Sequence, residues 1–258
     1  MYRYALLGLL QGLTEFLPVS SSGHLVLAQR LLGLDPPGVA LEGAVHLGTL
    51  LAVVVYFRKD LIWLLSGVGC REARRYLGLL MLGTLPVVAV GLGLRGAVEQ
   101  AFSSVSLVGA LLLVTAAALA GADWAAGRAR RDRVGPGAAL AVGVAQAASL
   151  LPGVSRSAIT ISAGMFAGVR PEAAARFSFL LAVPAVLGAG MVSLWDAGAA
   201  PLPAGTWPGL AVGAAVAALS GLAAIHALLA LLRRRRLRLF AAYCGAVGVA
   251  AIAWSWLG

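Results

Sequence analysis

Charge is what this sequence has least of. Only 12% of its 258 residues are charged, whereas 60% are hydrophobic, and the mean hydropathy is +0.92. A soluble domain carries about twice that share of charge, so a soluble protein is excluded. Several apolar runs reach the roughly 20 residues with which a helix crosses a bilayer. Because an open sheet leaves backbone groups unpaired in lipid, we predict an all-α polytopic membrane protein.

Cysteine and lysine are also scarce. The two cysteines, Cys70 and Cys244, lie far apart in a basic segment and in an apolar run, and Lys59 is the only lysine. This spacing favours neither a disulfide nor a cysteine metal site.

The positive charge is confined to a few places. The net charge of +10 is concentrated in 58–75, 128–133 and 233–238. Short basic segments between apolar runs are typical of cytoplasmic loops, and they also suit anionic lipid headgroups. We interpret them as a topology signal and expect no nucleic-acid partner.

The apolar runs differ in length. Six are long enough to span a bilayer, and they lie at about 39–57, 76–94, 104–122, 174–195, 207–232 and 239–257. Two are too short and break at prolines, 4–17 at Pro18 and 137–151 at Pro152. Each is followed by a serine cluster and a second short piece, 22–34 or 157–168. We predict two re-entrant helix-loop-helix hairpins.

The two hairpins resemble each other in sequence. Residues 11–25 read QGLTEFLPVSSSGHL and residues 146–160 read QAASLLPGVSRSAIT. A shift of 135 positions aligns a glutamine, a valine and two serines, and the tetrapeptide LLAV recurs at 50–53 and 180–183 with a shift of 130. We interpret these matches as an ancient duplication, since many transport folds carry such weak repeats.

Charge then predicts the topology. With 58–75, 123–135 and 233–238 cytoplasmic, the loops 96–103 and 196–206 face outward. Each half holds one hairpin and three spans, so the halves are inverted and the hairpin tips enter from opposite faces and meet near the midplane. The prediction is a single membrane domain, 1–258, with repeat one at 1–122, a basic linker at 123–135 and repeat two at 136–258.

The first motif carries an acid inside an apolar run. Gln11 and Glu15 share a helix face at spacing i, i+4, and a carboxylate in a membrane is functional by default. Together they offer oxygen ligands for a hard cation such as Mg²⁺. The alternative is that Glu15 only caps a helix or pairs with Arg156.

Serines and a histidine follow Pro18. Serine is a good N-cap, and the exposed N–H groups of a helix start bind phosphate. We therefore expect Ser20 and Ser22 to bind phosphate. His24 follows Ser21 by three positions, which suits a base for a hydroxyl nucleophile. We expect no catalytic role for His46 and His226.

The second motif repeats the design with an arginine. Arg156 at a helix start suits bidentate phosphate binding, and Thr160 lies one turn further on. The expected phosphate ligands of this motif are Gly153, Ser155, Arg156, Ser157 and Thr160. Converging motifs would suit phosphoryl transfer. A carrier that flips a lipid phosphate is the rival, but it needs no base or metal ligand.

Both motifs resemble the signatures of a known family, the undecaprenyl pyrophosphate phosphatases, which confer bacitracin resistance. The family's first motif is Glu or Gln, three residues, then Glu. Its second is P-G-x-S-R-S-x-x-T, which residues 152–160 fit at every fixed position. The segments LEGAVHLGTLLAVVVYF and RFSFLLAVPAVLGAG are also similar to the family, so the resemblance covers most of the chain. Gln11 is the neutral option at a position that is often glutamate, which weakens its case as a metal ligand.

The resemblance implies a function and a location. It implies removal of the terminal phosphate of a C55 polyprenyl diphosphate with Mg²⁺ or Ca²⁺, in the bacterial inner membrane, at a site facing the periplasm. It implies catalytic roles for Glu15, Ser21, His24 and Arg156, with Ser21 as nucleophile. The choice between serine and an activated water stays open, as does that between a monomer and a homodimer.

Overall fold

The computed structural model describes residues 1–32, 39–198, 206–234 and 236–257. The described residues form helices and one isolated parallel bridge between Arg131 and Val169. The helices are α1 Tyr2–Phe16, α2 Ser21–Leu32, α3 Val39–Tyr56, α4 Arg58–Ser66, a 3₁₀ turn Gly67–Gly69, α5 Arg71–Gly93, α6 Arg95–Ala101, α7 Val105–Ala125, α8 Pro136–Ala148, α9 Arg156–Phe166, α10 Pro171–Gly198, α11 Thr206–Arg233 and α12 Leu237–Leu257.

The long helices confirm an all-α polytopic membrane protein. Among the described residues, α5, α7, α10, α11 and α12 are each long and apolar enough to cross a bilayer. A sixth candidate is present only if Ala40–Tyr56 and Arg58–Gly69, which are bent by 74° relative to each other, are counted as one span. These five or six candidates lie where the six spans are predicted.

Two predicted loops are wrong because they are helical. The basic segment 58–75 contains α4, whose Leu64 is only 4% exposed and joins the main hydrophobic core. The prediction there rested on charge alone. The apolar residues between the charges support a short helix. The segment 96–103 lies mostly in α6. Most of the predicted loop 196–206 lies outside the described residues.

Both short hairpins form where predicted. The chain leaves α1 at Leu17 with an extended backbone, as expected before Pro18. Ser20 has a left-handed φ of 72°, and its Oγ accepts from Gly23 N at 3.3 Å. Ser155 caps α9 by accepting from Ala158 N, also at 3.3 Å. The two serines therefore act as N-caps.

Helix contacts in the two halves match each other. Helix α1 packs on α11 as α8 packs on α5, and the pairs α3–α10 and α7–α12 join the halves. A Cβ atom at Gly8 would lie 2.2 Å from the oxygen of Gly213, and one at Gly143 would lie 2.3 Å from that of Gly83. These two close glycine contacts are related by the sequence shifts of 135 and 130. The contacts are those that a duplication predicts, while the division into repeats stays a prediction.

Ion pairs bring the basic segments to one end of the bundle. Arg133 contacts Glu72 at 3.2 Å, and Arg238 contacts Asp123 at 2.6 Å. Arg176 pairs with Asp60, which also brings the start of α10 to this end. Only the pair of Arg133 and Glu72 is exposed on both sides, where such a pair stabilises little, but together the pairs show that the three segments share a face.

Candidate active site

Glu15 lies in the last turn of α1 and is 8% exposed. A carboxylate is unfavourable there because the C-terminal end of a helix carries partial negative charge. Gln11, one turn earlier, is fully buried on the same face. Glu15 therefore needs donors and a positive charge from other parts of the chain.

Three side chains supply them. Gln11 Nε2 donates to Glu15 Oε2 at 2.9 Å, and Ser21 Oγ donates to the same oxygen at 2.6 Å. Arg156 Nη2 donates to Oε1 at 2.5 Å in an ion pair. Charge-assisted bonds of this length are strong. The ion pair between Glu15 and Arg156, which the sequence offered as the alternative to function, is therefore present within the site.

Arg156 brings the second hairpin to the first. It begins α9, and its side chain is 14% exposed. Ser157 Oγ donates to the carbonyl of Leu17 at 3.2 Å. A Cβ atom at Gly23 would lie 3.2 Å from Cα of Gly153, so the two tips pack directly on each other. The predicted meeting of the two motifs is confirmed.

His24 is held differently from the prediction. Its Nδ1 bonds to the carbonyl of Ser20 and its Nε2 to the hydroxyl of Tyr243, both at 2.8 Å. The structure shows no hydrogen bond between His24 and Ser21, two residues that it describes. The spacing made them neighbours on α2, but the Ser20 carbonyl one turn back turns the ring towards α12. Glu15, not His24, accepts the hydrogen bond of the Ser21 hydroxyl.

The other predicted phosphate ligands lie around the tips. Ser20 Oγ is 3.4 Å from Ser22 Oγ, and Ser155 Oγ is 3.2 Å from Ser157 Oγ. Thr160 is fully buried. Its hydroxyl donates to the carbonyl of Arg156 at 2.5 Å and lies 2.6 Å from Ser178 Oγ. Phosphate binding by these residues stays a prediction.

Sequence reasoning missed several residues of the site. Thr115 on α7 donates to the Gly153 carbonyl at 2.9 Å and accepts from Ser155 N at 3.0 Å. Its position as a lone polar residue inside the apolar run LLLVTAAAL was a usable signal. Tyr243 gave no local signal.

Apolar residues border Arg156 on one side. A crevice between α3 and α10 is lined by Phe16, Thr49, Leu50, Val53, Arg156, Ala182, Val183 and Val186. Apart from Thr49 and Arg156, these side chains are hydrophobic. Arg156 therefore lies beside a hydrocarbon surface, and the space between these side chains is too small to hold a water molecule.

The oxygen donors at the site fit a weakly held cation. Among the described residues, no group of three His, Cys, Asp or Glu side chains could hold a metal by itself. Gln11 Oε1 is buried without a hydrogen-bond partner beside Glu15. One carboxylate and one amide oxygen suit Mg²⁺, which keeps waters and takes phosphate oxygens as further ligands.

Fold and site together define a class: a polytopic helical membrane protein with an acid, serine and arginine site between two broken hairpins. Comparison with known proteins supports this class. Residues 4–250 match the family described as bacitracin resistance protein BacA. The chain belongs to this family.

The relatives include several undecaprenyl-diphosphatases. The undecaprenyl-diphosphatase of Syntrophotalea carbinolica is 46% identical over 256 residues, which cover 94% of each chain. That of Geobacter sulfurreducens is 43% identical over 223 residues, or 83% of each. That of Desulforapulum autotrophicum is 40% identical over 216 residues, or 75% of this chain and 77% of the relative.

Proposed function

We propose that this chain is an undecaprenyl-diphosphatase that hydrolyses undecaprenyl diphosphate to undecaprenyl phosphate and inorganic phosphate. Its family and the names of its relatives support a membrane phosphatase. The observation that carries the proposal is Glu15, which holds the Ser21 hydroxyl on one oxygen and Arg156 on the other. The Glu15 carboxylate, the proposed base, therefore contacts both the hydroxyl of Ser21 and the guanidinium that is proposed to bind phosphate.

The first chemical step in this proposal uses Ser21 as the nucleophile. Its Oγ attacks the terminal phosphorus while its proton passes to Glu15, which already accepts that hydrogen bond. The bond from phosphorus to the bridging oxygen breaks, and undecaprenyl phosphate leaves. Arg156 Nη1, buried and without a partner among the described residues, is the donor available for the substrate's phosphate.

The second step releases the phosphate. Water attacks the phosphorus of phosphoserine, the bond to Ser21 Oγ breaks, one water proton goes to His24, and Glu15 returns a proton to Ser21. Direct attack by water on the substrate is the alternative, and it would leave Ser21 as a residue that orients the water.

A divalent cation would be held by Glu15 and Gln11, with Mg²⁺ or Ca²⁺ as the proposed species. When bound, it neutralises phosphate charge. Gln11 Oε1 is the oxygen free for this contact. Because Glu15 is already neutralised by Arg156, these residues bind the cation weakly unless substrate phosphates are present.

The surroundings extend the proposal to the lipid. We infer that the hydrocarbon tail lies along the apolar side chains of α3 and α10 beside Arg156, which are closely packed here and would have to part to admit it. We place the protein in the bacterial inner membrane with the site facing the periplasm, where it recycles the lipid carrier for cell-wall synthesis. A homodimer stays a prediction.

An exposed cysteine already present in the chain tests the orientation. Cys70 is exposed in the basic segment, next to Arg71 at the start of α5. In intact cells an impermeant thiol reagent should not label Cys70, whereas a Ser103→Cys variant should be labelled on the opposite face. Labelling of Cys70 together with protection at position 103 would reverse the topology.

A lipid-phosphate flippase is the second candidate. The matched packing of α1 on α11 and α8 on α5 supports it, because inverted repeats are common among transporters. A flippase moves the lipid without breaking a phosphoanhydride bond.

Phosphate release from purified protein separates the two functions. Protein in detergent is mixed with a polyprenyl diphosphate, with and without EDTA, beside an Arg156→Lys control. We expect release by the unmodified protein that falls with EDTA. Transfer of lipid across liposomes without any phosphate release would favour the flippase and overturn the phosphatase.

A further inference from the structure

Tyr243 on α12 reaches across the molecule to His24 on α2. The two residues are 219 positions apart, and the phenol oxygen lies 2.8 Å from His24 Nε2. Their rings are also nearly parallel, with centroids 5.6 Å apart and planes 9° apart. Tyr243 therefore contacts the imidazole at Nε2, on the side away from the Ser20 carbonyl.

The partners of His24 assign its tautomer. The Ser20 carbonyl can only accept a hydrogen bond, so Nδ1 must carry a proton to bond to it. In the neutral ring Nε2 then holds the lone pair. Tyr243 must donate its hydroxyl proton to that nitrogen.

The backbone of Ser20 is shaped for this contact. Its φ of 72° is left-handed, a conformation that residues other than glycine rarely adopt. Its carbonyl accepts from both the backbone N–H of His24, at 3.1 Å, and the ring Nδ1. Strained backbone is kept where surrounding contacts hold it, often at functional sites.

We propose that Tyr243 holds His24 in place and relays a proton to it. Its hydroxyl donates to Nε2 while Nδ1 keeps its own proton. In the second step of the proposed function, Nε2 takes the Tyr243 hydroxyl proton as the Tyr243 oxygen takes one from the attacking water. This inference rests on that function for its kinetic consequence, but the hydrogen bond itself is measurable without turnover.

Nuclear magnetic resonance of the histidines tests the contact directly. The chain has three histidines, so ¹⁵N-labelled imidazoles can be assigned with a His24→Gln variant. Tyr243→Phe keeps the ring and removes only the hydroxyl. We expect the unprotonated Nε2 signal of His24 to move in Tyr243→Phe and to stay in place in Tyr2→Phe, a control at an exposed tyrosine of α1.

Steady-state kinetics test whether Tyr243 acts through His24. Loss of one hydrogen bond corresponds to about a fivefold fall in kcat with little change in KM. If Tyr243 acts through His24, Tyr243→Phe should cost nothing further in a His24→Gln background. An unmoved Nε2 signal, an unchanged kcat, or an equal loss in both backgrounds would overturn the proposal. Absence of phosphate release by the unmodified protein would instead refute the proposed function, while the signal still reports on the contact.

Discussion

The two hairpins share one design but divide the chemistry between them. The first carries Glu15 and Ser21, and the second carries Arg156 at the position that matches Ser21. The position matching Glu15 is Leu150, so the second hairpin has no acid. In the proposed function neither hairpin forms the phosphate site alone, because one supplies the carboxylate and the other the guanidinium that pairs with it.

The supports of the two tips also correspond. Thr115 on α7 donates to the carbonyl of Gly153, and Cys244 on α12 contacts the carbonyl of Pro18 at 3.5 Å. Pro18 and Gly153 are related by the shift of 135, and α7 and α12 pack on each other. A strong hydroxyl donor thus supports the second tip and a weak thiol donor the first.

The largest effect is expected at Ser21, which the first tip carries at the position where the second tip carries Arg156. Ser21→Ala should be almost inactive, because it removes the proposed nucleophile, whose hydroxyl donates to Glu15. Substrate labelled in the terminal phosphate, quenched with acid, should leave label on the peptide containing Ser21. A His24→Ala variant should accumulate that label if it slows the second step. An active, unlabelled Ser21→Ala protein with no label in the parent would leave water as the attacker.

The next largest effect concerns the charge that the second tip supplies. Arg156→Lys keeps the charge but loses the planar fork that binds Glu15 with one arm and leaves Nη1 for phosphate. We expect kcat/KM to fall at least about tenfold, since a charged hydrogen bond contributes about 1.5–3 kcal/mol. Steady-state phosphate release measures it. Turnover close to that of the parent would remove Arg156 from phosphate binding.

A smaller effect should distinguish the two matched glutamines. Gln11 donates to Glu15, whereas neither side-chain polar atom of Gln146 has a partner among the described residues. Gln11→Met should lower kcat/KM about fivefold, the value of one hydrogen bond. Gln146→Met should leave activity unchanged and raise the thermal midpoint, because it removes a buried unpaired amide. Equal losses in both variants would contradict the division of roles.

The smallest effect should appear in the tip supports. Thr115→Val should destabilise the protein by about 0.6 kcal/mol, a typical value for a hydrogen bond in a membrane. Cys244→Ala should cost less through its hydrogen bond, since a thiol is a weak donor, although it also leaves a small gap in a buried site. Thermal unfolding in detergent would compare them, with Cys244→Ser as the volume control.

Particular residues show how far sequence reasoning reached. Pro18 and the pair Pro152 and Gly153 predicted where both hairpins break, because proline and glycine interrupt helices locally. The repeat and the charge pattern then predicted that the tips meet. The partner of His24 could not be predicted, because Tyr243 lies 219 positions away in an unremarkable apolar helix. Helix α4 was missed since charge was given more weight than the apolar residues between the charges, and α6 was missed because its segment was interpreted only as a loop between two spans.

The most direct test of the account asks whether Glu15 and Arg156 act as one unit across the two hairpins. Conservative variants, Glu15→Asp and Arg156→Lys, should each leave a measurable rate of phosphate release, and the double variant completes a cycle. Because the two side chains meet at 2.5 Å, we expect the double variant to lose about as much kcat/KM as the worse single variant. A loss equal to the product of the two single losses would contradict a shared site.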